Sequence, residues 1–179
     1  MMTATDQPML VALRASGPDS ERTGKMMLFG QFVGAWDLDI AFFDREGRET
    51  KRYPGEWIFG WVLGGRAVQD VLIAPPRKDA EAPPPPTAGT GSTIRYYDPK
   101  LDAWRVVWVG AYSNEYAILI GRAVGDRIVL DGQEEGEYYR WAFSEVTRDR
   151  FVWTGHVSDD EGKTWWKEQE MVALRRAGS

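Results

Sequence analysis

Near its carboxyl end the chain reads Ser158-Asp159-Asp160-Glu161-Gly162-Lys163-Thr164-Trp165, which fits the pattern S-x-D-x-G-x-T-W called an Asp-box. Acidic side chains and a glycine let the backbone turn sharply, and we expect Thr164 and Trp165 to anchor the outgoing strand. The motif repeats in successive blades of β-propellers, but this chain holds one copy. It therefore predicts a single β-hairpin, the last turn of an all-β protein.

Turn-like breaks divide the chain upstream of this hairpin as well. Counting the Asp-box, eight breaks are short, and the other seven lie at 44–47, 64–65, 98–100, 113–115, 125–126, 134–136 and 147–149. The ninth is the long segment 75–91, in which Pro83 to Pro86 are consecutive. Nine connections join ten strands, and short hairpins throughout favour an antiparallel up-and-down meander that closes on itself as a barrel.

Apolar residues alternate with polar ones in several of these segments, as expected of strands with one face in a core. The sets that share a face are Trp36, Leu38, Ile40 and Phe42, then Trp57, Phe59 and Trp61, then Trp104, Val106 and Trp108. Asp37 and Asp39 fall on the opposite face of the first set. Segments 138–146 and 163–174 do not alternate in this way, because polar and apolar residues occur on both of their faces. This pattern is consistent with a barrel that has a partly polar cavity or with one whose exterior packs against a second subunit.

The segments outside the meander also carry predictions. We expect residues 1–18 to form a flexible tail and residues 19–179 to form a single barrel domain. Between Asp19 and Phe32 the pattern predicts a short helix, capped by Ser20, that closes one end of the barrel. The Pro-rich loop at 75–91 suits either a portal or lid, or a solvated insertion.

Composition and charge limit the classes of function. The 179 residues carry 22 basic and 27 acidic side chains, a net charge of -5 with no basic stripe, so we expect no nucleic-acid or membrane partner. No cysteine is present, which excludes disulfides and thiolate metal sites, and the single histidine excludes a multi-histidine metal site. No metal site is therefore predicted. Residues 1–22 lack the pattern of a signal peptide, so we expect a cytoplasmic protein.

Several segments together resemble bacterial lipocalin-like domain families of unknown function, within the calycin superfamily. They are Gly34-Ala35-Trp36 (the G-x-W motif), Trp61 to Ala67, Tyr97-Asp98-Pro99 with Trp104, and Ser158 to Trp165 followed by Met171 and Arg175. The resemblance covers most of the chain from Phe29 onward. Together with the strand count it implies a ten-stranded calycin-like barrel, similar to fatty-acid-binding proteins and nitrobindins. It implies a fold more than a function.

Aromatic residues are the leading candidates for contact with a ligand. Nine Trp, seven Tyr and seven Phe make up 13% of the chain. Trp57 and Trp61, like Trp104 and Trp108, are placed so that each pair projects to one side of its strand, and Tyr112 follows the second pair. These five residues either line an aromatic pocket for a flat or apolar molecule or simply fill the core.

Polar anchors are harder to place. Arg140 lies between Tyr139 and Trp141, which favours either an anchor for a carboxylate or enolate inside the barrel or an exterior arginine stacked on aromatics. His156 is either a surface or hydrogen-bonded structural residue, or a ligand contact, an acid–base group or a haem ligand. Nitrobindin-like barrels use a histidine on a late strand for haem, so the resemblance leaves that cofactor open. Alternation alone does not decide which face of the segment 151–157 points inward.

These observations lead to one main hypothesis and three alternatives. The main hypothesis is that the barrel binds a small, largely apolar or aromatic molecule, with Arg140 and His156 as polar anchors. An alternative is a cofactor-independent cyclase, isomerase or lyase of secondary metabolism on the same barrel, with His156 and Arg140 as catalytic residues. The remaining alternatives are haem binding and a structural protein that forms a homodimer.

Overall fold

A computed structural model describes residues 7–178 and shows a closed barrel of ten antiparallel strands. The strands are β1 (Gly34–Phe43), β2 (Glu49–Val62), β3 (Ala67–Ile73), β4 (Gly91–Asp98), β5 (Ala103–Gly110), β6 (Glu115–Val124), β7 (Arg127–Glu134), β8 (Glu137–Ser144), β9 (Arg150–Ser158) and β10 (Trp166–Arg175). Each strand pairs with its neighbours in sequence, and β1 also pairs with β10 to close the barrel. The predicted all-β, ten-stranded up-and-down barrel is confirmed.

The Asp-box forms the hairpin between β9 and β10, and its polar side chains make the bonds that hold the turn. The Asp160 carboxylate accepts a hydrogen bond from the Thr164 hydroxyl at 2.6 Å and from the Thr164 amide at 2.8 Å. The Ser158 hydroxyl donates to Asp160 at 2.8 Å and accepts from the Gly162 amide at 2.9 Å. These donors, those of Thr164 first, lower the pKa of Asp160 to about 2.

A helix of two turns, α2 (Thr23–Gly30), closes one end of the barrel as predicted. The predicted cap at Ser20 is wrong, because α2 begins later and no side chain caps it. The turn before the helix is organised by Asp19, whose carboxylate accepts from the Glu21 amide at 2.9 Å. The Thr23 hydroxyl donates to the Asp19 carbonyl at 3.1 Å, so the chain enters the helix only at Thr23.

The segment before α2 contains a short helix, α1 (Pro8–Leu13), and then runs along the barrel. The Ala15 amide donates to the Trp61 carbonyl at 2.9 Å, and the Asp19 amide donates to the Gly65 carbonyl at 3.0 Å. Residues 7–18 thus contact the turn Leu63–Gly65, while the rest of the predicted tail lies outside the described residues. Its flexibility stays a prediction.

Residues 74–90 connect β3 and β4 without helix or strand. The Arg77 guanidinium binds the buried Glu56 carboxylate of β2 at 2.7 Å and donates to the Ala80 carbonyl at 2.7 Å. Arg176 binds the same carboxylate at 3.2 Å from the other side. The start of this Pro-rich loop is therefore fixed to the barrel wall.

The helices of the protein are short. No helix within residues 7–178 is long and apolar enough to span a membrane.

Candidate functional site

The two ends of the barrel differ because the chain crosses each of them differently. At one end α2 inserts aromatic side chains between the strands: the Phe29 ring centre lies 4.9 Å from that of Trp104 and 5.9 Å from that of Phe143. Phe32 packs against Phe143 and Phe151 with ring centres 4.8 and 4.9 Å apart. This end, which we call the closed end, is a fully packed aromatic core.

At the opposite end, formed by the five hairpins β1–β2, β3–β4, β5–β6, β7–β8 and β9–β10, the barrel encloses a cavity of about 1520 Å³. Its wall combines aromatic and polar side chains. The aromatic residues that line it are Phe42, Tyr53, Trp57, Trp108, Tyr116, Tyr139, Trp141, Trp153 and Trp166. The Pro-rich loop contributes Pro75 and residues 87–89 to the same wall. We call this end the open end.

A buried ion pair lies where the cavity meets the closed end. Asp70 of β3 and Arg95 of β4 both point into the barrel, and their side chains are 0% and 2% exposed. The Arg95 guanidinium binds the Asp70 carboxylate, which also accepts from the Thr93 amide at 3.2 Å. The guanidinium carbon lies 5.3 Å from the ring centre of Phe29 in α2, and Arg95 also lines the cavity. Asp70 and Arg95 therefore form the floor of the cavity.

Carboxylates surround the mouth of the cavity. The acidic residues that line it are Glu115, Glu134, Glu135, Glu137, Asp159 and Glu168. Glu168 lies at the bulge of β10; burial first, and then the charges of Glu137 and Glu115, raise its pKa. Burial first, and Glu137 second, raises the pKa of Tyr139 to about 12. The mouth is thus a region of negative potential above an aromatic wall.

The predicted tryptophans divide between the two ends. Trp57 and Trp108 line the cavity, as predicted for ligand contacts. Trp61 and Trp104 also point into the barrel, but they lie at the closed end, where they pack against α2. The two members of each pair are four residues apart, which is about 13 Å along a strand, so Trp61 and Trp104 fill the core at the closed end.

The structure places Tyr112, Arg140 and His156 outside the cavity. Tyr112 lies in the turn between β5 and β6 and is exposed. The Arg140 Nε donates to the Asp131 carboxylate at 2.8 Å, and its guanidinium carbon lies 4.6 Å from the Trp165 ring centre. Tyr139 and Trp141 point inward, so Arg140 between them must point outward.

His156 also lies on the outer face of the barrel, because Trp153 and Val157 of the same strand line the cavity. It pairs in register with Arg140 on one side and Lys167 on the other. Burial, and then the charges of Lys167 and Arg140, lower its pKa. This placement gives neither Arg140 nor His156 a contact with the cavity, either as a ligand anchor, as a catalytic group or, for His156, as a haem ligand. Within residues 7–178, no three His, Asp or Glu side chains are grouped closely enough to hold a metal ion.

Comparison with known proteins gives a fold and no family. No family model matches the chain, and no curated protein matches it. Among solved structures, the S-type phycobiliprotein lyase CPES from Guillardia theta superposes with a TM-score of 0.57 and 11% sequence identity, covering 90% of this chain and 100% of that chain. Rv2717c from M. tuberculosis superposes with a TM-score of 0.50 and 14% identity, covering 85% of this chain and 97% of that one. The chain therefore has a ten-stranded antiparallel barrel of the calycin-like kind.

Proposed function

We propose that this protein binds a small, largely apolar or aromatic molecule in the cavity at the open end, and that it belongs with the bacterial lipocalin-like proteins its sequence resembles. The observation that carries the proposal is the cavity itself. Its volume of about 1520 Å³ exceeds that of most ligand pockets, and nine aromatic side chains contribute to its wall. Among the described residues, the closed end has only a smaller pocket of about 460 Å³, beside α2.

Trp57 and Trp108 are the proposed stacking residues. They lie on β2 and β5, and both line the cavity. Large aromatic side chains bind flat apolar molecules through contact area and ring stacking while giving up little conformational freedom. The Trp108 ring is also held in place: a Cβ atom on Gly91 would lie 2.2 Å from it, so the ring packs directly over that backbone.

Arg95 is the proposed polar anchor, in place of Arg140. Apolar side chains of similar volume would fill the barrel at least as stably as a buried ion pair, so the pair is poorly explained by stability alone. Because Asp70 already neutralises Arg95, the floor suits a neutral acceptor such as a carbonyl or phenol oxygen better than a free carboxylate. The enzymatic alternative, a homodimer and a cytoplasmic location stay predictions.

Two neighbouring substitutions on β6 test the proposal. Ala117 lines the cavity, whereas Ile118 is 61% exposed on the outer face. In A117F a phenyl ring projects into the cavity; in I118F the same ring projects into solvent. The probe is the uncharged dye N-phenyl-1-naphthylamine, whose fluorescence increases in apolar surroundings, titrated into each protein.

We expect the wild-type protein and I118F to bind the dye equally, and A117F to bind about ten-fold more weakly or worse. Matched melting temperatures for the two variants would show that the loss is not caused by unfolding. Equal binding by A117F and wild-type protein would contradict the proposal, since the dye would then lie elsewhere.

A further inference from the structure

The charges around the cavity are strongly unequal. Only two basic residues line it, Lys51 and Arg95, against the six carboxylates of the mouth. Arg95 is already paired with Asp70 at the floor, and Asp159 is paired with Arg45. Among the described residues, the other five mouth carboxylates form no ion pair within 4.0 Å. Arg45 also interacts with Glu137, but the carboxylates outnumber the basic groups, so the described part of the mouth carries a net negative charge.

Two of these carboxylates, Glu115 and Glu137, act on a third, Glu168. Glu115 begins β6, Glu137 begins β8 and Glu168 lies in β10, so three hairpins bring them to one side of the mouth. The repulsion from Glu137 and Glu115, added to burial, raises the pKa of Glu168. A positive group placed among the three would relieve this repulsion.

The geometry of the mouth argues against a metal ion as that positive group. Within residues 7–178 no three carboxylates are close enough together to coordinate one. Charges distributed around an opening suit a larger cation whose charge is spread over a bulky group. Aromatic walls suit the same kind of cation, because the face of an indole or phenol ring attracts positive charge. Tyr139 and Trp166 line the cavity alongside these carboxylates.

A second, independent observation points to an occupant. Trp57 and Arg95 both line the cavity and are 3% and 2% exposed. The Nε1 of Trp57 and the Nε of Arg95 are buried donors without an acceptor among the described residues. Leaving such donors unsatisfied is costly, and unsatisfied groups are rare in native structures. A bound molecule with an acceptor oxygen at its inner end would accept a hydrogen bond from these donors.

We propose that the ligand is an organic cation: an apolar or aromatic molecule whose protonated amine or quaternary ammonium group lies among Glu115, Glu137 and Glu168. Its aromatic body lies against the wall of the cavity and its inner end meets the floor at Arg95 and Trp57. This inference rests on the proposed function, because it assigns the chemical class of the molecule that the same cavity binds.

The test compares three dyes of different charge. Thioflavin T is cationic, N-phenyl-1-naphthylamine is neutral, and 1-anilinonaphthalene-8-sulfonate adds one negative charge to the scaffold of the neutral dye. Each is titrated into wild-type protein, into the triple variant E115Q/E137Q/E168Q and into the control D126N/E145Q/D149N. The control removes the same number of charges, but from turns at the closed end.

We expect the wild-type protein to bind thioflavin T about ten-fold or more tightly than the anionic dye. The triple variant at the mouth should weaken thioflavin T by about ten-fold, with the neutral dye changed by less than about two-fold. The control should leave all three affinities unchanged. Added salt should weaken only the cationic dye, because exposed charges are screened.

Three results would overturn the inference, and they separate its failure from failure of the proposed function. If the neutral dye binds but the cationic dye shows no preference over the anionic one, the ligand is not a cation and the proposed function stands alone. The same conclusion follows if the mouth variant binds thioflavin T as the wild-type protein does. If none of the three dyes binds the wild-type protein, the proposed function fails and this inference fails with it.

Discussion

Arg95 and Asp70 are the two residues on which the interior of the barrel depends most. Both are almost fully buried, and aromatic rings surround the guanidinium, with Phe29 and Phe59 at 5.3 and 5.4 Å. Taking two charges out of water is unfavourable, and their attraction offsets the loss only when both are present. Substituting one member of the pair should therefore reduce the free energy of unfolding, whereas replacing both members with apolar residues should leave it nearly unchanged.

Substituting Asp70→Leu alone leaves a buried guanidinium without its counter-ion, so we expect a loss of about 3–5 kcal/mol in the free energy of unfolding. The double variant D70L/R95M replaces both charges with apolar side chains, and its stability should return to near the wild-type value. Urea denaturation followed by tryptophan fluorescence measures both. If the double variant is stable but binds 1-naphthol, a neutral aromatic molecule with a phenol oxygen, more weakly, Arg95 serves binding. An Asp70→Leu protein as stable as the wild type would contradict the buried pair.

The sequence predicted part of the site at this scale. Alternation of aromatic residues along their strands identifies Trp57 and Trp108 as inward-facing residues. Alternation does not show how deep in the barrel each ring lies. The sequence favours Arg140 as the polar anchor because its neighbours are aromatic. Those neighbours, Tyr139 and Trp141, point inward, and alternation therefore turns Arg140 outward. Asp70 and Arg95 are 25 residues apart, and the sequence does not encode the register between β3 and β4 that unites them.

Helix α2 is the element that makes the two ends of the barrel different. Its last residue, Gly30, faces β2 so closely that a Cβ atom there would lie 2.2 Å from the Trp61 ring. Gly24, near the start of the same helix, has nothing within 4 Å of such an atom. The two glycines are therefore a matched pair in one helix, one required by packing and one not.

Substituting Gly30→Ala should displace the Trp61 ring or the helix and reduce the free energy of unfolding by about 1–3 kcal/mol. Substituting Gly24→Ala adds the same methyl group in open space, where better helix propensity should leave stability unchanged or raise it by up to about 1 kcal/mol. Denaturant midpoints compare the two. Equal midpoints for the two variants would show that α2 does not pack against Trp61 in this way.

At the scale of elements the sequence was a good guide, since turn residues and alternation are local properties. Each of the nine predicted breaks coincides, to within one residue, with a connection between two observed strands, and the Asp-box forms the last hairpin. The error lay in the boundary of α2. Ser20 has the chemistry of a cap, but Asp19 uses its carboxylate and carbonyl to organise a separate turn, which delays the helix. Competition between adjacent polar residues for the same backbone groups is hard to resolve from sequence.

In the whole molecule, the packed core and the cavity lie at opposite ends of the up-and-down barrel. The closed end carries the aromatic core around α2, and the open end carries the cavity with its acidic mouth. Arg175 of β10 helps to close the barrel near the closed end. Its guanidinium donates to the carbonyls of Val33 and Gln31 at 2.8 Å. The guanidinium carbon also lies 4.0 Å from the Trp36 ring centre. Substitutions at the open end can therefore change binding without unfolding the barrel.

The central claim is that the cavity holds a small molecule, and native mass spectrometry of protein purified gently from its own host tests it most directly. We expect the wild-type protein to carry an additional mass of a few hundred daltons, and I118F to carry the same mass. A117F, whose added phenyl ring occupies part of the cavity and of its aromatic wall, should retain a clearly smaller fraction of the bound mass than I118F. Wild-type protein without any bound mass, or A117F with the same bound fraction as the wild type, would contradict the account.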